Sequence, residues 1–369
     1  MKIRSIGRGI ALISIAAVVF AACSGGATPS PSAASVAPPT TAASVAATAS
    51  ASAAAGACPT TPAASIKVGY LPKDIVNQYF AAAKTGVDKA AGELGGTVTQ
   101  VGPPKPDAPL QIPFIADLTT QKVNAIIISA DDKDAVAPAL KAAKDACIKV
   151  VGFDAPSAVG SYDVFVNQVD FSGVGVNLAD WACELAPSCT GEIAILSATA
   201  TAANQNSWIE LMKTTLKLDK YKGLKLVATV YGDDVDTTSK TQAQGLLTKY
   251  PDLKVIVAPT TVGILAAAQV VKQAKSAVKV TGLGFPHDMK PFVEDGTSPV
   301  YGLWNVPDLG YLSYWIAAKL VTGEIKGTEG EKFTVPSLNG GQPYTIGKDN
   351  IVVLGPAFRF DKTNLDVFF

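Results

Sequence analysis

Histidine is almost missing from this chain: His287 is the only one in 369 residues, and cysteines number five. That inventory excludes multi-histidine metal centres and a catalytic triad built on a spare imidazole, so no metal and no cofactor is expected. Charge of either sign is not in excess, with 31 basic and 31 acidic side chains. The electrostatic footprint that a nucleic acid or an acidic lipid surface requires is therefore lacking, and no nucleic-acid partner is expected. Also missing are G-x-S-x-G, H-E-x-x-H, the P-loop and a G-x-G-x-x-G in the right context. The chain does not read as an enzyme; a two-carboxylate glycosidase is the one class that motifs alone leave open. What is plentiful is apolar side chain, 48% of residues, enough for a sizeable core.

No hydrophobic run near the start is long enough to span a membrane. Lys2, Arg4 and Arg8 precede an apolar stretch of eleven residues, 10–20, and then Ala21-Ala22-Cys23. A helix needs about 20 residues to cross a bilayer, so this reads as an export signal. Small residues before a lone cysteine resemble a bacterial lipobox, in which Cys23 becomes the lipid-modified N-terminus; Phe20 stands where Leu is usual. Residues 1–23 are accordingly expected to be signal and lipobox, and the protein to be exported and held at the cell membrane by lipid on Cys23. Residues 24–65 are almost entirely Ala, Ser, Thr, Pro and Gly, with no charge and no aromatic ring. Such a segment cannot bury enough apolar surface to offset its ordering entropy, and it is expected to be a disordered tether.

From residue 66 the pattern changes. Short apolar runs at 66–70, 97–101, 124–129, 149–154 and 163–167 alternate with helical stretches at 77–94, 108–121 and 134–146. The alternation then restarts, with runs at 192–197, 224–231, 255–259 and 278–284 between helices at 172–185, 205–218, 238–249 and 261–275. Continuous apolar strands separated by helices indicate βαβ units and parallel sheets, so the fold class is α/β, as two modules of similar plan.

The segments VGYLPKDIVNQYF (68–80), NAIIISADDKDAVAPALKAA (124–143), KVVGFDA (149–155), ATAANQNSWI (200–209), KVIVAPTTVGILAAAQ (254–269), GLGFPHDMKPFVEDGT (282–297) and GLWNVPDLGY (302–311) together resemble type I periplasmic binding proteins of ABC importers. The likeness is to the rhamnose-binding and autoinducer-2-binding branch, and it runs in consistent order from about residue 66 to 369. It implies two Rossmann-like lobes joined by a hinge that crosses near 168, 305 and 325. Lobe 1 would be 66–168 plus 305–325, lobe 2 would be 169–304, and 326–369 would be a C-terminal segment crossing between them. It further implies a monomer that delivers a small sugar to ABC permease subunits. A receptor for autoinducer-2, a sugar sensor feeding a membrane kinase, and a sugar-responsive repressor are the alternatives; the last would need a helix-turn-helix where this chain has a signal and tether.

In open α/β sheets a ligand sits beyond the carboxyl ends of the strands. Lys73, Asp154, Asn204, Gln205, Thr260, Thr261 and Asn305 fall at such ends. They supply donors and acceptors for a polyol, and Tyr79, Phe80, Phe153 and Trp304 offer apolar faces for the sugar ring. The autoinducer receptors carry a Lys at 73, an Asp at 154, an Asp-Gln pair at 204–205, a Pro at Pro259 and an Ala at 261. Asn204 and Thr261 depart from that set, as does Asn305 after Trp304, which favours a neutral sugar. Trp208 reads as core, and Asp233, Asp234 and Asp236 as a solvated loop lacking the Gly and distal Glu of a calcium site. In an oxidising compartment Cys183 and Cys189, flanking a helix end, are expected to pair, leaving Cys58 and Cys147 as the only other pair.

Overall fold

The computed structural model describes residues 58–366, which excludes the signal, Cys23 and most of the tether. Strands β1 (Lys67–Leu71), β2 (Thr97–Gln100), β3 (Ala125–Ile128), β4 (Lys149–Phe153) and β5 (Val164–Asn167) alternate with helices α1 (Gln78–Leu94), α2 (Ala108–Thr120) and α3 (Ala137–Asp145). They form lobe 1. Lobe 2 follows with α4 (Phe171–Leu185), β6 (Gly191–Ser197), α5 (Ala203–Thr215), β7 (Leu224–Tyr231), α6 (Asp236–Lys249), β8 (Leu253–Ala258), α7 (Thr261–Gln273), β9 (Lys279–Gly282), α8 (Pro286–Glu294) and β10 (Tyr301–Leu303). The chain returns to lobe 1 as α9 (Val306–Thr322) and ends in four short strands, β11 (Lys332–Phe333), β12 (Tyr344–Thr345), β13 (Ile351–Val353) and β14 (Phe358–Phe360).

The sheet of lobe 1 is parallel throughout, in the order β13-β5-β4-β3-β1-β2. That of lobe 2 is β7-β6-β8-β9, also parallel. Helices cover both faces, so central strands such as β3, with Ala125, Ile126, Ile127 and Ile128 all buried, need no polar alternation. In lobe 1, α1 and α9 pack backbone to backbone. A Cβ on Gly86 would lie 1.8 Å from the Pro307 carbonyl oxygen, and one on Gly310 1.8 Å from that of Ala83. Only glycine permits that approach, which seats the returning helix on the first lobe.

Two expectations are corrected. The third crossing does not lie near 325. β13 pairs with β5 of lobe 1, whereas β14 pairs antiparallel with β10, so the chain passes back at 354–357. No apolar periodicity marks such a turn, because pairing partners far away in sequence define it. The tether also stops short of 65. Cys58 is bonded to Cys147, Thr61 N donates to Val321 O at 3.1 Å, Asn124 Nδ2 donates to Thr61 Oγ1 at 3.1 Å, and Ala63–Ser65 form a 3-10 turn. A cross-link and these hydrogen bonds hold a segment whose composition alone would leave it loose. Cys183 and Cys189 are likewise bonded, their Cα atoms 4.3 Å apart.

Candidate ligand-binding site

The carboxyl ends of the two sheets face each other across a small cleft lined by both lobes. Polar groups converging among apolar and aromatic side chains are the usual make-up of a small-molecule site. Lobe 1 contributes Lys73, Asn77, Tyr79, Phe80 and Asp154; lobe 2 contributes Asn204, Gln205, Trp208, Asp234, Pro259, Thr260, Thr261 and Leu283; Leu303 and Trp304 come from the second crossing.

Asp154, in the left-handed region just past β4 (φ 60°), is the most heavily addressed group. Its Oδ2 accepts from Ser129 Oγ at 2.7 Å and faces Lys73 Nζ at 3.4 Å. Its Oδ1 accepts from Gln168 Nε2 at 3.3 Å and, across the cleft, from Asn204 Nδ2 at 3.1 Å. Asn204 returns its Oδ1 to Lys73 Nζ at 3.4 Å and to Gln205 N at 2.9 Å. An amide both donates and accepts, so Asn204 bridges an acid and a base from the opposite lobe; a carboxylate there would face Asp154 with like charge. Neither Asn204 nor Gln205 caps α5, whose N-cap is Ala202. Gln205 Oε1 accepts from Ser197 Oγ at 2.7 Å and Ala198 N at 2.9 Å, which fixes the orientation of the amide.

Behind Lys73 lie two further acids. Burial pushes Asp131 up to about 8, against the opposing pull of Lys73, and among the described residues Asp131 Oδ1 has no hydrogen-bond partner. Burial also raises Asp74, whose Oδ1 accepts from Val76 N and Asn77 N and so shapes the turn that delivers Lys73. Aromatic rings form the remaining wall. Trp304 Nε1 donates to Tyr79 Oη at 2.9 Å, and Trp304 lies 5.8 Å from Trp208 between ring centres. Burial, then the neighbouring Asp154 charge, hold the Tyr79 phenol well above its ordinary pKa, so it stays protonated.

Two residues expected at the site are elsewhere. Phe153 is fully buried in the core, 5.5 Å from Tyr70 and 6.2 Å from Phe80, supporting Phe80 from behind. Successive side chains of a strand alternate faces, and position 153 falls on the inner one. Asn305 does not line the cavity either. It is the N-cap of α9, its Oδ1 accepting from Asp308 N at 3.0 Å. Conversely, Trp208 and Asp234 line the cavity although the sequence reading left them in the core and in solvent. Trp208 was legible: it follows Asn204 and Gln205 by four and three residues, and so shares their helix face. Asp234 follows the end of β7 as Asp154 follows β4, the same strand-end rule. With it the cleft carries two carboxylates.

A family model described as a periplasmic binding protein domain matches residues 68–325. The chain belongs to that family. Its fold, two α/β lobes with parallel sheets, is that of the type I binding proteins. An ABC transporter solute-binding protein from Clostridium phytofermentas, solved with bound L-rhamnose, is 35% identical; the match covers 82% of this chain and 98% of that one, with a TM-score of 0.79. A sugar ABC transporter structure from Actinomyces odontolyticus is 42% identical over 84% of this chain and 99% of that one, with a TM-score of 0.67. Among characterised relatives, the ribose import binding protein RbsB of Salmonella typhimurium is 26% identical, covering 71% of this chain and 90% of its own length. The binding protein therefore has its cavity where the type I architecture puts the cleft, between lobes linked by three strands of chain.

Proposed function

We propose that the protein is the extracytoplasmic solute-binding lipoprotein of an ABC importer and captures a neutral monosaccharide, L-rhamnose as the best fit, in the cleft between its lobes. The observation that carries this reading is the cavity itself. It presents two carboxylates (Asp154 and Asp234), a donor-only ammonium (Lys73), three amides (Asn77, Asn204 and Gln205) and the hydroxyls of Tyr79, Thr260 and Thr261, together with Phe80, Trp208 and Trp304. A pyranose needs that combination: alternating donors and acceptors for its hydroxyls, apolar area for its C–H face and for a 6-deoxy methyl group. The rhamnose-bound relative supports the same choice. Binding rather than turnover fits Asp154, whose oxygens are already engaged by Ser129, Gln168, Asn204 and Lys73. Lipid on Cys23, which lies outside the described residues, would hold the protein at the membrane; the intact mass of detergent-extracted protein reads the acyl groups directly.

Calorimetric titration of the lipid-free domain with L-rhamnose, other deoxyhexoses, pentoses and autoinducer-2 tests the reading. Saturating sugar is expected to reduce the radius of gyration in small-angle scattering and to stabilise the fold by ~2.7 kcal/mol at a hundredfold excess over Kd. Tight binding of autoinducer-2 with none of rhamnose would overturn the sugar assignment and leave the binding protein standing.

The residues that separate the two ligand classes give a sharper expectation. Asn204→Asp combined with Thr261→Ala is expected to weaken rhamnose about tenfold, ~1.4 kcal/mol, and to narrow its lead over autoinducer-2. The aspartate loses the donor now aimed at Asp154 Oδ1 and sets like charges side by side, while alanine removes a hydroxyl from the wall. An unchanged preference in the double variant would show that discrimination lies elsewhere.

A further inference from the structure

Asp234 reaches the cavity from a turn built to deliver it. β7 ends at Tyr231, after which Gly232 N donates to Ser197 O at 2.8 Å and Asp233 N to Ala198 O at 2.9 Å. A Cβ on residue 232 would fall 2.2 Å from Ser239 Oγ and 2.9 Å from its Cα, so only glycine fits under α6. Asp233 and Asp234 then both adopt the left-handed region, with φ of 57° and 50°. Side chains other than glycine enter that region at a cost, and such costs collect at functional sites. The turn places a half-buried carboxylate on the lobe 2 wall of the cleft.

That carboxylate is only half served. Thr260 Oγ1 donates to Asp234 Oδ1; among the described residues no donor is recorded for Oδ2. Burial pushes the group up to about 6, with Asp74 and Asp154 adding to the rise and Thr260 and Lys73 opposing it. The charged or titratable groups around it are Lys73 and Asp74 from the β1–α1 turn, Asp154 from the end of β4, and Asp236 and Asp288 at the cleft mouth. A carboxylate oxygen on the cavity wall with no protein donor is open to a hydroxyl of a bound ligand, which would replace its solvent.

We propose that Asp234 reads the ligand: its free carboxylate oxygen accepts one sugar hydroxyl, and with Asp154 on the facing lobe it makes the cleft selective for neutral polyols over sugar acids and sugar phosphates. The cavity lining holds two carboxylates against the single ammonium of Lys73; Lys73 and Asp154 cancel on lobe 1, so the net negative charge that an anionic ligand meets is that of Asp234 on lobe 2. The inference rests on the sugar-binding reading above and assigns that site's ligand class and its lobe 2 acceptor.

Titration of wild type, Asp234→Asn and His287→Gln with L-rhamnose between pH 5 and 8 tests it, with D-galacturonate and glucose 6-phosphate as anionic probes at pH 7.5. Asp234→Asn is expected to lose about ten- to hundredfold in rhamnose affinity. A donated hydroxyl prefers the ionised acid, so wild-type affinity should hold above about pH 7 and weaken below about pH 6. That slope should vanish in Asp234→Asn and persist in His287→Gln, which removes the chain's one histidine. Neither anionic probe should compete with rhamnose. Should Asp234→Asn show no cooperative melt, Asp234→Ser is measured in its place. Wild-type-like affinity with an unchanged pH profile in the variant, or galacturonate binding as tightly as rhamnose, overturns the proposal. A wild-type protein that binds no neutral sugar at any pH instead overturns the sugar-binding reading, and this inference falls with it.

Discussion

Replacing Asp154 with alanine is expected to weaken monosaccharide binding about a hundredfold while the domain stays folded. The carboxylate is the meeting point of the cleft: Lys73 and Ser129 approach one oxygen, Gln168 and Asn204 the other. A ligand hydroxyl that displaces Asn204 gains a charge-assisted acceptor, worth about twice a neutral one. Truncation leaves that hydroxyl unpaired, at ~1–3 kcal/mol, and also releases Lys73 from the geometry in which it can donate. The sum sits at the upper end of that range, and 2.8 kcal/mol is about a hundredfold in Kd. Asp154→Asn keeps the shape and half the acceptor capacity, and should lose less. Calorimetry on both variants, with melting curves to establish folding, checks the result; near-normal affinity in Asp154→Ala would remove the residue from the site.

The second large effect concerns stability. Opening the Cys58–Cys147 bridge, by Cys58→Ser with Cys147→Ser, is expected to lower stability by ~4–5 kcal/mol on the chain-entropy model, whereas opening Cys183–Cys189 should cost only ~2 kcal/mol. The difference follows from the loops closed in the unfolded chain, 89 residues against 6. The longer bridge also holds the segment before β1 against lobe 1, where Thr61 meets Val321 and Asn124. With an unfolding entropy of ~2.1 cal/mol/K per residue, the loss amounts to roughly 7 °C in Tm. Calorimetric scans of the two double-serine variants compare the bridges directly. Equal shifts would show that loop length does not govern them.

Most of the fold was legible because its signals are local. A strand buried on both faces by flanking helices must be apolar along its length, so 124–129 and 255–259 announce themselves, and the restart of the pattern after 168 announces a second lobe. The strand-end rule placed Lys73, Asp154, Gln205 and Thr260 at the cleft, and all four line the cavity. It erred where a side chain's direction mattered. Phe153 is one residue short of Asp154, yet strand alternation sends it into the core. Asn305 stands at a crossing, but a helix begins there and takes its oxygen as a cap.

The sequence by itself determined the alternation of strand and helix, the class of fold, and which residue types could meet a polyol, since hydrophobic periodicity and donor–acceptor chemistry act over a few residues. Tertiary structure alone decided which of them meet. Asn204 and Asp154 are fifty positions apart and bond only because the lobes face each other. The third crossing is set by β13 finding β5 and β14 finding β10, partners 186 and 57 residues away. Asp234 turned from a solvated acid into a cavity wall because Gly232 lets its turn lie under α6. Those contacts depend on how whole sheets and lobes pack, and no window of neighbouring residues contains that information.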